Sequence, residues 1–283
     1  MDAMVHHSLI PGGLSLLALC TVVGLVRLQR SVTNTTTPVS DRLLRAPGES
    51  LRARLERIDE KLMWCVALLS AGPVVFSLTA PGFPDKLSIV LLLTVIGLCV
   101  LAVYIGAKEY RACSLGLLGE RAVGEELNQL MTQGCRVYHD YPGERTGNID
   151  HVVIAPSGVY AVETKTRHKS RAPKGTKDHE LTFDGTKLHF PRYISTSGLK
   201  QARRSAATLS RKLSDAMGEP VQVKAILAFP GWYINRTGAS DVNVLSPKEI
   251  RQVVFSKTGP QLAPEQIWRI AQQVEQKCRD VAL

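Results

Sequence analysis

The chain lacks the cysteine spacing of a metal or disulfide framework. Its six cysteines, Cys20, Cys65, Cys99, Cys113, Cys135 and Cys278, form no CxxC pair, and three of them lie in apolar runs. Neither a zinc site nor a stapled fold is indicated, and a reducing compartment is the simpler expectation. No Gly-Lys-Ser/Thr phosphate loop is present, so nothing points to ATP hydrolysis by this chain. No internal repeat is visible. No Lys or Arg precedes the first apolar run, where only Asp2, His6 and His7 carry ionisable groups. A secretory signal wants a basic leading segment, so this run reads as something else. Two further stretches, 62–80 and 87–107, contain no charged residue at all.

These uncharged runs divide the 283 residues into two parts. Residues 9–26, 62–80 and 87–107 are expected to cross a membrane, since a core helix pair would show a polar face and these show none. Residues 31–40 are a polar, Thr-rich linker. Residues 41–61 alternate charge with leucines in an amphipathic helical pattern, broken near Pro47 and Gly48, and are read as extending the next helix. Residues 27–61 hold eight Lys/Arg, whereas the 81–86 turn holds one. Positive-inside bias then places 27–61 in the cytoplasm and the turn outside. The expected organisation is a membrane anchor over 1–107, with linker 27–61, followed by a cytosolic domain over 108–283.

The basic excess lies mainly in that second part. Residues 1–107 carry nine Lys/Arg against seven Asp/Glu, and residues 108–283 carry 26 against 18. A net positive domain suits an anionic partner such as nucleic acid.

Within it, residues 148–165 read NIDHVVIAPSGVYAVETK. Two short β-branched runs flank Pro156, Ser157 and Gly158, the pattern of a β-hairpin. With the turn centred at Ser157, Asp150 lies across from Thr164, give or take one residue. Glu163 and Lys165 are two apart and share a strand face. Groups opposite or diagonal in such a pair are roughly 5–8 Å apart, so Asp150, Glu163 and Lys165 can converge. Two carboxylates that close repel unless a proton or cation lies between them. Mg²⁺ suits such a place, because it keeps several waters and takes one or two carboxylates. His151 is a second-rank candidate, since alternation turns it to the other face.

This Asp-x(12)-Glu-x-Lys hairpin resembles the PD-(D/E)xK core of restriction-endonuclease-like nucleases. A Gly-Glu helix before Asn-Ile-Asp-His-Val-Val and Glu-x-Lys is more closely similar to the NERD, or nuclease-related, domain over about residues 115–255. The resemblance implies a mixed α/β sheet flanked by helices, here preceded by about three membrane spans. It implies Mg²⁺ or Mn²⁺ held by Asp150, Glu163, the Thr164 carbonyl and a helix glutamate, with Lys165 catalytic and Gln201 near the attacked phosphate. Both Gly119 with Glu120 and Gly124 with Glu125 fit the helix dipeptide. On helix 115–131, Glu120 borders the apolar face of Val123, Leu127 and Leu130, while Glu125 points nearly opposite.

The rest of the domain supplies strands at 135–141, 221–229 and 242–245, a hairpin at 181–190 around Asp184 and Gly185, and helices at 198–217 and 264–281. Ser246 followed by Pro247 has the form of a helix start. Arg167, Lys169 and Arg171 just past the hairpin, with Arg203 and Arg204 on the helix, are expected to hold nucleic-acid phosphates. The function expected is a membrane-anchored, metal-dependent nuclease, acting on DNA rather than RNA. The alternative is a non-catalytic module that binds nucleic acid or a protein partner at the bilayer.

Overall fold

The computed structural model describes residues 42–79, 85–143, 147–169, 177–259 and 261–281. The expected span at 9–26 and Arg171 lie outside these residues. The chain divides into two compact units, one containing Leu55–Arg111 and the other Asp41–Arg54 with Ala112–Leu283. Residues 41–54, expected in the anchor's linker, thus pack with the second unit.

In the first unit the uncharged runs are helical. Helix α1 (Glu49–Thr79) starts directly after Gly48, whose φ of 74° stops a helix from running through it. Helix α2 (Asp85–Asn128) runs from the last expected span into the second unit. Among the described residues one helix is long and apolar enough to cross a membrane, Leu93–Gln133, and its most apolar window is only 6% buried. That corrects the expectation of about three spans. Residues 62–79 are the distal part of α1, continuous with its charged opening turns. The charge-free part of α2 ends at Ala107, before Lys108.

The second unit is built on a five-stranded mixed sheet. Its strands are β2 (Arg136–Tyr141), β3 (Ile149–Ala155), β4 (Gly158–Thr164), β8 (Val223–Ala228) and β10 (Val242–Leu245), ordered β10-β8-β4-β3-β2. The β2, β3 and β4 neighbours are antiparallel, while β4, β8 and β10 are parallel. Strand β3 is buried along almost its whole length because both sheet faces are covered. On one face Val152, Ile154 and Ala161 pack with Leu199, Ala202, Ala206, Leu209 and Leu213 of α3 (Ser197–Met217). That three- and four-residue spacing is the apolar stripe of an amphipathic helix. Helix α5 (Pro264–Cys278) adds Ile270 and Val274 to the same layer. On the other face Val153, Tyr160 and Val162 meet Val123 and Leu127 of α2 and the short α4 (Ile250–Val254).

Two smaller sheets complete the unit. One is ordered β7-β6-β5-β9, from β5 (Glu180–Phe183), β6 (Leu188–His189), β7 (Ile194–Ser195) and β9 (Tyr233–Arg236). The other pairs β1 (Leu43–Leu44) with β11 (Arg279–Val281). Beyond β1, Arg45 binds Asp280 through Nε at 2.6 Å and reaches Asp140 at 3.2 Å. Asp140, at a φ of 51°, caps the start of α1 by accepting from Ser50 N–H at 2.8 Å and Ser50 Oγ at 2.7 Å. Asn148 also donates to Asp140, at 2.9 Å.

Candidate active site

The β3–β4 hairpin turns through Pro156 and Ser157, with Ala155 paired to Gly158 at a φ of 133°. His151 pairs with Val162, so Asp150 stands opposite Glu163, one residue from the Thr164 expected. Residues directly opposite share a face, which brings the two carboxylates closer together than the expected register would. The Thr164 N–H donates to Asp150 Oδ2 at 2.6 Å. Lys165 Nζ donates to Glu163 Oε1 at 2.8 Å, and Lys165 N–H continues the sheet to the Ala228 carbonyl at 2.9 Å.

Helix α3 closes this face. Ser205 Oγ donates to Glu163 Oε2 at 3.4 Å, a contact missed from the sequence although Ser205 lies one turn beyond Gln201. Gln201 is half-buried on the early turns of α3. A Cβ at Gly198 would crowd Leu227 at 3.1 Å and lie in ordinary contact with the Lys165 stem at 3.5 Å, so the helix start lies beside the lysine.

Helix α2 delivers the third carboxylate. At Gly119 a Cβ would fall 1.6 Å from Thr166 Oγ1, so only glycine allows the segment after Lys165 to lie on the helix. Glu120 is thereby buried at 9% exposure and Glu125 is exposed. Gly124 serves elsewhere: a Cβ there would meet the Pro47 ring at 2.6 Å, so it seats the segment before α1.

The electrostatics of the three acids are interlocked. Burial is the largest cause of the rise in each. Asp150 is pushed well above the ordinary carboxylate range by burial, then by Glu163 and Glu120, against the Thr164 N–H and Lys165. Glu120 is pushed up to about 8 by burial, Asp140 and Glu163. Glu163 is raised by burial but held back by Lys165, Ser205 and Arg204. One ammonium therefore faces three acids, which hold on to protons unless a divalent cation takes their place. Among the described residues no three His, Cys, Asp or Glu side chains are placed to hold a metal ion together. The donor set fits Mg²⁺, which needs only one or two carboxylates and fills the rest of its shell with water. Thr166 Oγ1, buried beside Gly119 with no hydrogen-bond partner among the described residues, is a further polar atom here.

The opposite face of the hairpin is a closed circuit. His151, fully buried, faces away from the acids as alternation requires. His139 Nε2 donates to Asn128 Oδ1 at 3.0 Å, His139 Nδ1 accepts from His151 Nδ1 at 2.9 Å, and His151 Nε2 accepts from Thr164 Oγ1 at 3.3 Å. Burial lowers both rings, His139 to about 4, so both are neutral near pH 7.

The expected phosphate-binding residues separate. Arg167 and Lys169 are exposed beyond the hairpin, and Arg204 is exposed on α3, close enough to Glu163 to lower its pKa. Arg203 is bound by Asp241, with Nη2 to Oδ1 at 2.7 Å and Nε to Oδ2 at 2.8 Å, so its charge is largely offset.

Residues 115–230 match the family model of the nuclease-related domain, NERD. The matched stretch runs from α2 through β8 and contains Glu120, Asp150, Glu163, Lys165 and Gln201. It stops short of β9 and β10, which complete the two larger sheets outside the nuclease-related segment. No curated protein and no solved structure matches the chain.

Proposed function

We propose that the nuclease-related domain is a metal-dependent phosphodiesterase of the PD-(D/E)xK type that cuts DNA. The observation carrying this is the meeting of Asp150, Glu163 and Glu120 with the single Lys165 ammonium where β3 begins and β4 ends. Asp150 and Glu163 would hold Mg²⁺ or Mn²⁺, with the Thr164 carbonyl and Glu120 as further oxygen donors. When bound, the ion lowers the pKa of a water and offsets charge on the scissile phosphate. The Thr164 N–H fixes the Asp150 carboxylate, and Glu163 with the first turn of α3 fixes Lys165. From there the ammonium stabilises the negative charge that grows on the phosphate oxygens as the water oxygen joins phosphorus and the ester oxygen leaves. Gln201, one turn before Ser205, orients the attacked phosphate.

The anchor is proposed on separate grounds. Ile89, Val90, Leu93, Leu98, Tyr104 and Ile105 are each more than half exposed, an apolar surface suited to lipid rather than water. Residues 87–107 would meet the bilayer, and with 62–80 as the opposing crossing they return the chain to the side of 27–61, the cytoplasmic side by its Lys/Arg bias, as the packing of Asp41–Arg54 with Ala112–Leu283 in one unit requires. The test uses the full chain in detergent or nanodiscs, incubated with plasmid, linear DNA and RNA in EDTA, Mg²⁺ or Mn²⁺. Metal-dependent DNA cleavage that disappears in Asp150→Asn is expected. Binding without cleavage under every metal condition would overturn the enzymatic reading in favour of a non-catalytic module.

A further inference from the structure

The small four-stranded sheet has one covered and one open face. Leu181, Phe183, Leu188 and Ile234 turn into the main core. The alternate residues form a row in register across all four strands, Asn235 beside Thr182, Thr182 beside His189, and His189 beside Ile194. Tyr233 stands on the same face, paired with Glu180. Tyr233 is 65% exposed and Ile194 60%, so among the described residues nothing covers either end of the row. The His189 ring is held by Asp184 at 2.6 Å.

Both edges of this sheet lead to the candidate active site. The β9 edge follows β8, whose Ala228 carbonyl accepts the Lys165 N–H, and Gly231 lies between them with Lys169 Nζ 3.9 Å from where its Cβ would be. The β7 edge runs into the start of α3, where Gly198 lies against the Lys165 stem. The described residues of 165–169 and 177–200, which include three of its strands, hold seven Lys/Arg against three Asp/Glu.

We infer that this open face is the substrate platform and that its occupant is a single-stranded nucleic acid, bases laid on Tyr233 and the Ile194 end, phosphates met by described cations of the same stretch such as Arg167, Lys169, Lys187 and Lys200. An aromatic and apolar sheet surface can meet a base only through its flat face, which a duplex hides in its stack. Cations alone would serve a duplex equally well, so the exposed tyrosine and isoleucine decide between the two. The inference deepens the nuclease reading by naming the state of its substrate.

The test is fluorescence anisotropy with the full chain in neutral-lipid nanodiscs, in EDTA, titrated against a labelled oligonucleotide and against the blunt duplex of the same sequence. The single strand should bind at least about tenfold more tightly. Tyr233→Ala should weaken it by about tenfold, since stacking contributes about 1–3 kcal/mol per base, and Tyr233→Phe should bind like the parent chain. Ile194→Ala, on the opposite edge, is an independent variant should Tyr233→Ala fold poorly, and should weaken single-strand binding alone. Equal affinity for both forms, binding to anionic vesicles but not to the oligonucleotide, or parental affinity in both alanine variants would overturn the proposal. Mg²⁺ or Mn²⁺ added afterwards separates the two readings. Strand-selective binding without cleavage sinks the nuclease and leaves the platform, while cleavage with duplex preference does the reverse.

Discussion

On the Asp150 side of the β3–β4 hairpin three carboxylates share one ammonium, whereas on the His151 side both nitrogens of two buried rings have partners. The two residues are consecutive, and strand alternation alone separates them. One face carries acids that must be balanced by bound protons or by an added cation. The other is neutral and complete without any ligand. The difference teaches where a deletion should cost function and where it should cost folding, because an unbalanced cluster is costly to keep and a satisfied one costly to break.

The largest effect expected is on catalysis. Lys165→Ala should lower turnover by about two to three orders of magnitude, the scale for losing one charge donor to the transition state. Metal affinity, followed by calorimetry, should stay level or tighten, because a nearby positive charge is gone. An affinity loss as steep as that of Asp150→Asn would move Lys165 into the ligand set and erase the distinction between holder and catalyst.

Next come the carboxylates themselves. Asp150→Asn and Glu163→Gln should each weaken Mg²⁺ binding while raising the melting temperature of the metal-free protein, since both charges are disfavoured where they lie. His151→Leu should do the opposite. It strands the Thr164 hydroxyl and a His139 nitrogen, costing about 1–3 kcal/mol per orphaned group. A metal-free melting temperature that falls in all three variants would break the contrast.

The two faces should also answer pH with opposite sign. Glu120 titrates near 8 in the fold against an ordinary value near 4.5, so the folded state holds the proton more tightly. Stability from this group is complete below about 4.5 and declines as pH rises towards 8. Stabilisation by Mg²⁺ should therefore grow over the same interval, and Glu120→Gln should flatten that slope. His139, lowered to about 4 from 6.5, contributes stability that is complete above 6.5 and lost as pH falls towards 4. Thermal melts across pH 4–8, with and without Mg²⁺, would check both limbs. The smallest effect belongs to Ser205→Ala. Its 3.4 Å contact supports Glu163 only weakly, and about a twofold change in turnover is expected from the loss of one long hydrogen bond.

How much of this could be read from the residues follows from how local each signal is. Asp150, Glu163 and Lys165 were legible because a turn and a two-residue period place them. The register missed by one, since the turn occupies Pro156 and Ser157 rather than being centred on Ser157. Glu120 was separable from Glu125 by helix facing, but the role of Gly119 needed the position of Thr166, 47 residues away. Ser205 on α3 gave no signal of its own. Arg203 read as a free phosphate ligand because Asp241 lies 38 residues further on. Strands β7 and β9, of two and four residues, are too short for alternation to show, and the open face they create was invisible in the sequence. Residues 41–54 read as a linker and helix because their charges alternate, whereas their place is decided by Asp140, Pro47 on Gly124, and a distant strand.

That distant strand sets a clock on biosynthesis. Leu43 and Leu44 pair with Arg279–Val281, and Arg45 is 235 residues from Asp280. A ribosome adding about 5–20 residues per second takes roughly 12–47 s to cover that interval. Through all of it, the start of α1 must wait beside a domain whose last strand does not yet exist. Asp140, held by Asn148, is made earlier and can meet Ser50 first, so the capped turn can form before the two-stranded sheet does. The final seam closes only after Arg279–Val281 have left the ribosome, and a chain cut short before Arg279 would never close it.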